Sequence, residues 1–186
     1  MTKRNYLADA WLVVTLCLLF GAALAGVQGA LQPLIEANKL ADTMRQIPVL
    51  VPGAVSGIPD TLAGQRIFRA LDASEQPVGT VLAAAGQGFA DRIELLVALD
   101  RDNTHITGLY IVDQKETPGL GDFITKDKWR AQFAGKPADQ RLTVTKTGAQ
   151  KVTEVDGVTG ATISSEAVVS IVNATVASYR KEAATP

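Results

Sequence analysis

Asp156-Gly157-Val158-Thr159-Gly160-Ala161-Thr162 is followed at once by a run in which Ala167, Val168, Ile171, Val172, Val176 and Tyr179 trace one helical face. This pattern predicts a loop feeding a helix from Ser164 onward, with Ser164 or Ser165 as its cap. Gly160 gives the loop backbone freedom, and Ala161 leaves room beside the hydroxyl of Thr162. The helix start offers free N–H groups and the positive end of a dipole, which favour an anion beside it. Read alone, the stretch is an ordinary loop ending in a capped helix.

Upstream of the loop the pattern is strand-like. Residues 65–70 and 78–84 read as strands joined across Asp72-Ala73-Ser74-Glu75-Gln76-Pro77, a hairpin. Gly86-Gln87-Gly88 reads as a turn before a third strand at 93–99, with 104–112 pairing beside it. Residues 127–133 are a short helix and 142–146 another strand. Trp129 and Phe133 are expected in the core, Lys126, Asp127, Lys128 and Arg130 on a solvated face, and His105 at the surface. Consecutive strands with helices gathered later predict an α+β domain around an antiparallel sheet.

At the other end, residues 10–35 hold no charge, and 10–30 are overwhelmingly apolar or small. That length suffices for a single transmembrane helix. Lys3 and Arg4 precede it with only Asp9 opposing, which keeps the N-terminus cytoplasmic and sends the remainder to the periplasmic or outer face of an inner membrane. A cleaved signal peptide ending at Ala23-Leu24-Ala25 is the rival reading, and the uncharged run beyond Gly26 favours an uncleaved anchor. Beyond the span, Leu34, Ala37, Leu40, Ala41 and Met44 continue at helical spacing until Pro48, Pro52, Gly53 and Gly57 break the pattern. The expected organisation is a cytoplasmic N-terminus and anchor over 1–33, a juxtamembrane helix and linker over 34–57, and the α+β domain over 58–186.

Composition narrows the chemistry. The 186 residues carry a net charge of −1, which does not suit a nucleic-acid partner. One cysteine, Cys17, and one histidine, His105, exclude a cysteine zinc site, an iron–sulfur cluster and Cys-x-x-Cys-His haem attachment within the chain. No catalytic residue and no metal site are assigned, so a redox role would require an organic cofactor.

A second loop, Glu116-Thr117-Pro118-Gly119-Leu120-Gly121-Asp122, follows the strand at 104–112. Pro118 biases Thr117 toward extended geometry, and the glycines let main chain approach a flat ligand closely. The two loops together resemble the FMN-binding domain family, and within it the G subunit of Rnf-type electron transport complexes. The likeness runs from about Val78 to Val172 and includes the turn at Gly86, the strand at 93–100 and residues 129–136. Where that family commonly has histidine before the glutamate, this chain has Lys115.

The resemblance implies FMN joined through its phosphate to Thr162 as a phosphoester, with Thr117, Gly119 and Leu120 lining the ring or ribityl chain and Thr159, Gly160 and Ala161 beside it. Asp156, Thr159, Gly160, Ala161 and Thr162 would form the signature read by a flavin transferase. It further implies an electron relay, not a stand-alone enzyme, within a complex that passes electrons between ferredoxin and NAD and moves ions. Partners would be integral membrane and redox subunits, the transferase and membrane lipid. Two alternatives remain: the C subunit of a sodium-pumping NADH:quinone reductase, and a non-redox, membrane-tethered binding or assembly protein.

Overall fold

The computed structural model describes residues 10–183. Lys3, Arg4 and Asp9, on which the orientation argument rests, lie outside them. The first element is the helix α1 (Trp11–Leu50). Residues up to Ala41 form one unit, and the chain from Asp42 onward forms a second.

In the first unit, large apolar side chains including Leu12, Leu18, Phe20, Leu24 and Leu31 are exposed along the helix. The segment is long and apolar enough to cross a membrane.

The second unit contains a five-stranded antiparallel sheet in the order β1-β2-β3-β4-β5. Its strands are β1 (Ser56–Leu62), β2 (Gln65–Leu71), β3 (Pro77–Gln87), β4 (Arg92–Asp100) and β5 (Ile106–Asp113). After β5 come a 3-10 turn (Gly121–Thr125), the short helix α2 (Asp127–Arg130) and another 3-10 turn (Ala131–Phe133). The strands β6 (Thr143–Thr145) and β7 (Glu154–Asp156) pair in parallel, and the helix α3 (Thr162–Ala183) closes the fold. The α+β architecture with an antiparallel sheet is the one the patterning implies.

Both faces of the sheet are covered. Ile93, Leu95, Val97 and Leu99 of β4 join a core with Phe133, Val168, Val172 and Val176, while Leu96 and Ala98 join a second one with Ile47, Leu50 and Val51. That double burial explains the continuous apolar run Leu95-Leu96-Val97-Ala98-Leu99, since alternation is lost where neither face meets water. The second core is closed by the last turns of α1. A Cβ on Gly79 would stand 2.5 Å from the Leu99 carbonyl oxygen and 2.8 Å from Val51 Cγ1, so this position needs glycine.

Several local expectations change. α1 runs through Pro48 to Leu50, because burying Ile47, Leu50 and Val51 outweighs the one backbone bond a proline removes. The second unit accordingly begins at Asp42, ahead of residue 58. Gly86 belongs to β3 and does not turn; Ile171 Cγ1 lies 2.6 Å from where its Cβ would be. Arg130 is half-buried and does not stand free in solvent: its guanidinium sits 4.9 Å from the Tyr110 ring centroid and donates to the Leu109 carbonyl at 3.2 Å. β1 and β7 are further strands that the patterning does not signal.

Candidate functional site

α3 begins at Thr162, two residues before the expected start. Ser164 and Ser165 are therefore inside its first turn and not caps, and both are buried. Ser165 bonds backward: its Oγ accepts from the Val158 N–H at 2.9 Å and donates to the Ala161 carbonyl at 3.1 Å. Ala161 N–H meets the Val158 carbonyl at 2.9 Å, and Gly160 turns the chain with φ +82°, a region favouring glycine. The result is a closed loop whose exposed tip is Thr159-Gly160 and whose exit presents Thr162, half-buried, at the helix start. The leading N–H groups of such a helix have no intrahelical acceptor and point outward.

Beside this helix start lies a pocket of about 120 Å³. Thr117, Leu120, Gly160, Ala161 and Thr162 all line it, so two loops distant in sequence are brought to one place. Phe89, Gly121, Ile163 and Ser164 complete the lining. Gly119 and Thr159 do not line it; Gly119 forms the turn in which Leu120 N–H reaches the Thr117 carbonyl at 3.1 Å. Phe89, Leu120 and Ile163 are exposed around the rim, at 61%, 46% and 56%. No apolar periodicity marks Phe89 as a site residue, since it lies in the loop between β3 and β4.

Glu116 is 3% exposed and bonds Ser164, one of the residues lining the pocket. Its carboxylate accepts from Ser164 Oγ at 2.6 Å and from the Ala90 N–H at 3.1 Å, so it bridges three segments instead of bonding its own loop. Lys115 pairs with Asp91 at 3.0 Å on the surface. The Arg92 backbone N–H, with Lys115, holds the Asp91 carboxyl below its ordinary value.

Asp156 ends β7 and stands at the entry to the loop, not in the pocket. Its main chain is held by Trp129 Nε1, which donates to the carbonyl at 2.7 Å, and by Gln132 Oε1, which accepts from the N–H at 2.8 Å. Its carboxylate Oδ1 is buried without a hydrogen-bond partner. Nearby, Lys136 Nζ donates to the carbonyls of Val152 and Glu154 at 3.1 and 2.5 Å. Burial holds the Lys136 ammonium below its ordinary pKa, against the opposing pull of Asp156 and Glu154.

A larger hollow, about 570 Å³, lies along the far half of α3 by Arg141, Asn173 and Arg180, and none of the expected site residues line it. Chemistry, not volume, picks the smaller one. It offers a hydroxyl, unpaired N–H groups suited to a phosphate, and an apolar rim suited to a flat ring. Such a donor set fits FMN. The pocket is well below the roughly 300–1,000 Å³ of sites that enclose a ligand, so it can take a phosphate and chain but leaves a ring system at the surface.

Comparison with known proteins gives the domain its relatives. The FMN-binding domain family matches residues 88–177. The G subunit of the proton-translocating ferredoxin:NAD(+) oxidoreductase complex of Clostridium ljungdahlii is 35% identical over 160 residues, 82% of this chain and 80% of that protein. The G subunit of the ion-translocating oxidoreductase complex of Methanosarcina acetivorans is 39% identical over 110 residues, 59% of this chain. There the chain spans about half the relative's length, 55%. Among solved structures, the C subunit of the Na(+)-translocating NADH-quinone reductase of Parabacteroides distasonis matches with a TM-score of 0.58 and 28% identity, over 66% of this chain and 64% of that one.

Proposed function

Since the chain belongs to the G-subunit family of Rnf-type ion-translocating oxidoreductase complexes and carries its FMN-binding domain, we propose that it relays electrons through an FMN bonded to Thr162. When bound, FMN would supply reversible one- and two-electron redox chemistry. Thr162 Oγ1 is the oxygen that carries the FMN phosphate as a phosphoester. The first-turn N–H groups of α3 would hold that phosphate, and Thr117 and Leu120, with Gly119 shaping the turn between them, would line the ring or ribityl chain. Asp156, Thr159, Gly160 and Ala161, with Thr162 itself, are what a flavin transferase reads.

The observation that carries this reading is the pairing of an accessible hydroxyl at a helix start with a pocket too shallow to retain a cofactor by enclosure. A covalent bond supplies the retention that burial does not. The apolar helix α1 anchors the chain in the inner membrane, with the FMN domain on the periplasmic or outer face. There it works among integral membrane and redox subunits of a complex passing electrons between ferredoxin and NAD.

Intact-mass measurement of the protein produced with and without a flavin transferase tests the bond. The FMN adduct is expected only with the transferase, and Thr162→Ala should abolish it. Unmodified protein isolated from its own host would overturn the reading. The alternative, the C subunit of an NADH:quinone reductase, is favoured by the likeness to the Parabacteroides distasonis structure. Identification of the proteins that copurify from the host membrane separates the two.

A further inference from the structure

β7 has one edge paired to β6 and one edge that, among the described residues, meets no strand. In a parallel pair alternate residues turn their N–H and C=O groups to the partner, and those between turn them away. The Thr143 N–H reaches the Thr153 carbonyl at 2.9 Å and the Gly157 N–H the Thr145 carbonyl at 2.8 Å, so Glu154 and Asp156 are the residues turned away. Their main-chain groups have no strand to bond, yet side chains reach them from one segment. Lys136 Nζ takes the carbonyls of Val152 and Glu154, Gln132 Oε1 takes the Asp156 N–H, and Trp129 Nε1 takes the Asp156 carbonyl, with Gln132 Nε2 at 3.4 Å from it. The remaining group, the Glu154 N–H, bonds the Lys151 carbonyl at 3.0 Å.

The strand so held is the one that delivers the loop ending at Thr162. From Asp156 onward each anchor is accounted for: Gly157 on β6, Val158 on Ser165, Ala161 on Val158, leaving only the tip Thr159-Gly160 exposed. We infer that Trp129, Gln132 and Lys136 are positioning residues that hold β7 by its outer edge, so that the flavin transferase meets a preformed acceptor loop on a folded domain. This rests on the reading that Thr162 is the attachment residue. The physical content is a population. Releasing the Asp156 main chain lowers the fraction of molecules whose loop is competent, and the apparent affinity for the modifying enzyme falls by that fraction.

The test measures transferase kinetics with the full chain as acceptor substrate. Gln132→Met keeps side-chain volume but loses both hydrogen bonds to Asp156, and Gln132 is only half-buried. The KM for the acceptor is expected to rise about tenfold to a hundredfold, with kcat changed by about twofold or less and the domain still unfolding in one cooperative transition. Lys128→Met, on an exposed position of α2 just ahead of the turn that holds Gln132, should leave KM unmoved. A Gln132→Met acceptor modified with the parental KM overturns the inference. A second readout uses the parent chain alone. The amides of Asp156, Gly157, Val158 and Ala161 should exchange with deuterium at least about tenfold more slowly than those of Thr159 and Gly160. Equal rates overturn the inference even if the substitution prevents folding. Failure of the parent chain to acquire FMN at Thr162 overturns the underlying assignment instead, which keeps the two failures distinct.

Discussion

Ser164 Oγ donates a 2.6 Å hydrogen bond to Glu116 Oε2, joining the first turn of α3 to the loop after β5 across 48 residues of chain. Both side chains are buried, and Glu116 also receives the Ala90 N–H. One carboxylate thus ties Ser164, in the pocket lining, to the loops at Ala90 and Glu116. Glu116→Ala strands a buried hydroxyl and a backbone N–H, and should destabilise the domain by about 2–4 kcal/mol. Glu116→Gln keeps one acceptor and should cost about 1 kcal/mol. Urea denaturation of the two variants beside the parent chain gives both values, and equal stability of Glu116→Ala and the parent would refute the bridging role.

Gly79 and Gly57 test how tightly the end of α1 is seated. A Cβ at Gly79 meets the Leu99 carbonyl oxygen at 2.5 Å, which is main chain of the adjacent strand and cannot rotate away. A Cβ at Gly57 meets Ile47 Cδ1 at 2.2 Å, the free end of a side chain that can change rotamer. Gly79→Ala should therefore cost about 2–3 kcal/mol and Gly57→Ala about 1 kcal/mol. A thermal-melt series that ranks them the other way would show that the helix end is the rigid member.

Shortening the chain should reveal where the domain begins. Starting at residue 58 removes Ile47, Leu50 and Val51, whose burial stabilises by about 1.5–3 kcal/mol each. The summed loss, about 5–9 kcal/mol, matches the entire stability of many domains. A version starting at residue 42 should give a cooperative unfolding transition and dispersed amide spectra. The version from residue 58 should aggregate or lack a transition, and cooperative unfolding of it would remove the helix end from the core.

Lys136 makes a pH prediction. Its folded-state pKa lies below the ordinary 10.5 because burial disfavours the ammonium, so the folded chain binds fewer protons at this site than the unfolded one. Stability then rises with pH through this group: the contribution is fully present above 10.5 and lost as pH falls through the lowered value. A neutral amine still has two N–H groups for the Val152 and Glu154 carbonyls. Compared with Lys136→Met, the parent chain should gain unfolding free energy as pH is raised from 7 toward 10.5. A difference that stays flat or shrinks over that range contradicts the assignment.

Much of the fold is legible because burial leaves a pattern. The apolar run in β4, the hairpin signal at Asp72–Pro77 and the apolar face of α3 each record an environment directly. β1 is hidden because Gly57, Pro59 and Asp60 read as a turn; at a sheet edge, with one side unpaired, they are tolerated. β7 is hidden because three residues held by side chains need no periodicity of their own. Ser164 and Ser165 look like caps by composition, but one is recruited by Glu116 and the other by the loop behind it, both tertiary effects. The pocket behaves similarly. Each loop can be read as a turn from its glycines and proline, whereas their meeting at Thr162 and the presence of Phe89 depend on how the sheet and α3 pack.

Strands with open edges invite other chains to add to them, and a membrane crowded with neighbouring proteins supplies many candidates. β7 offers no such invitation, since indole, carboxamide and ammonium groups already occupy its hydrogen-bonding rim. Whatever docks near the attachment loop must recognise it by its side chains and contour, and cannot zip onto it as one more strand.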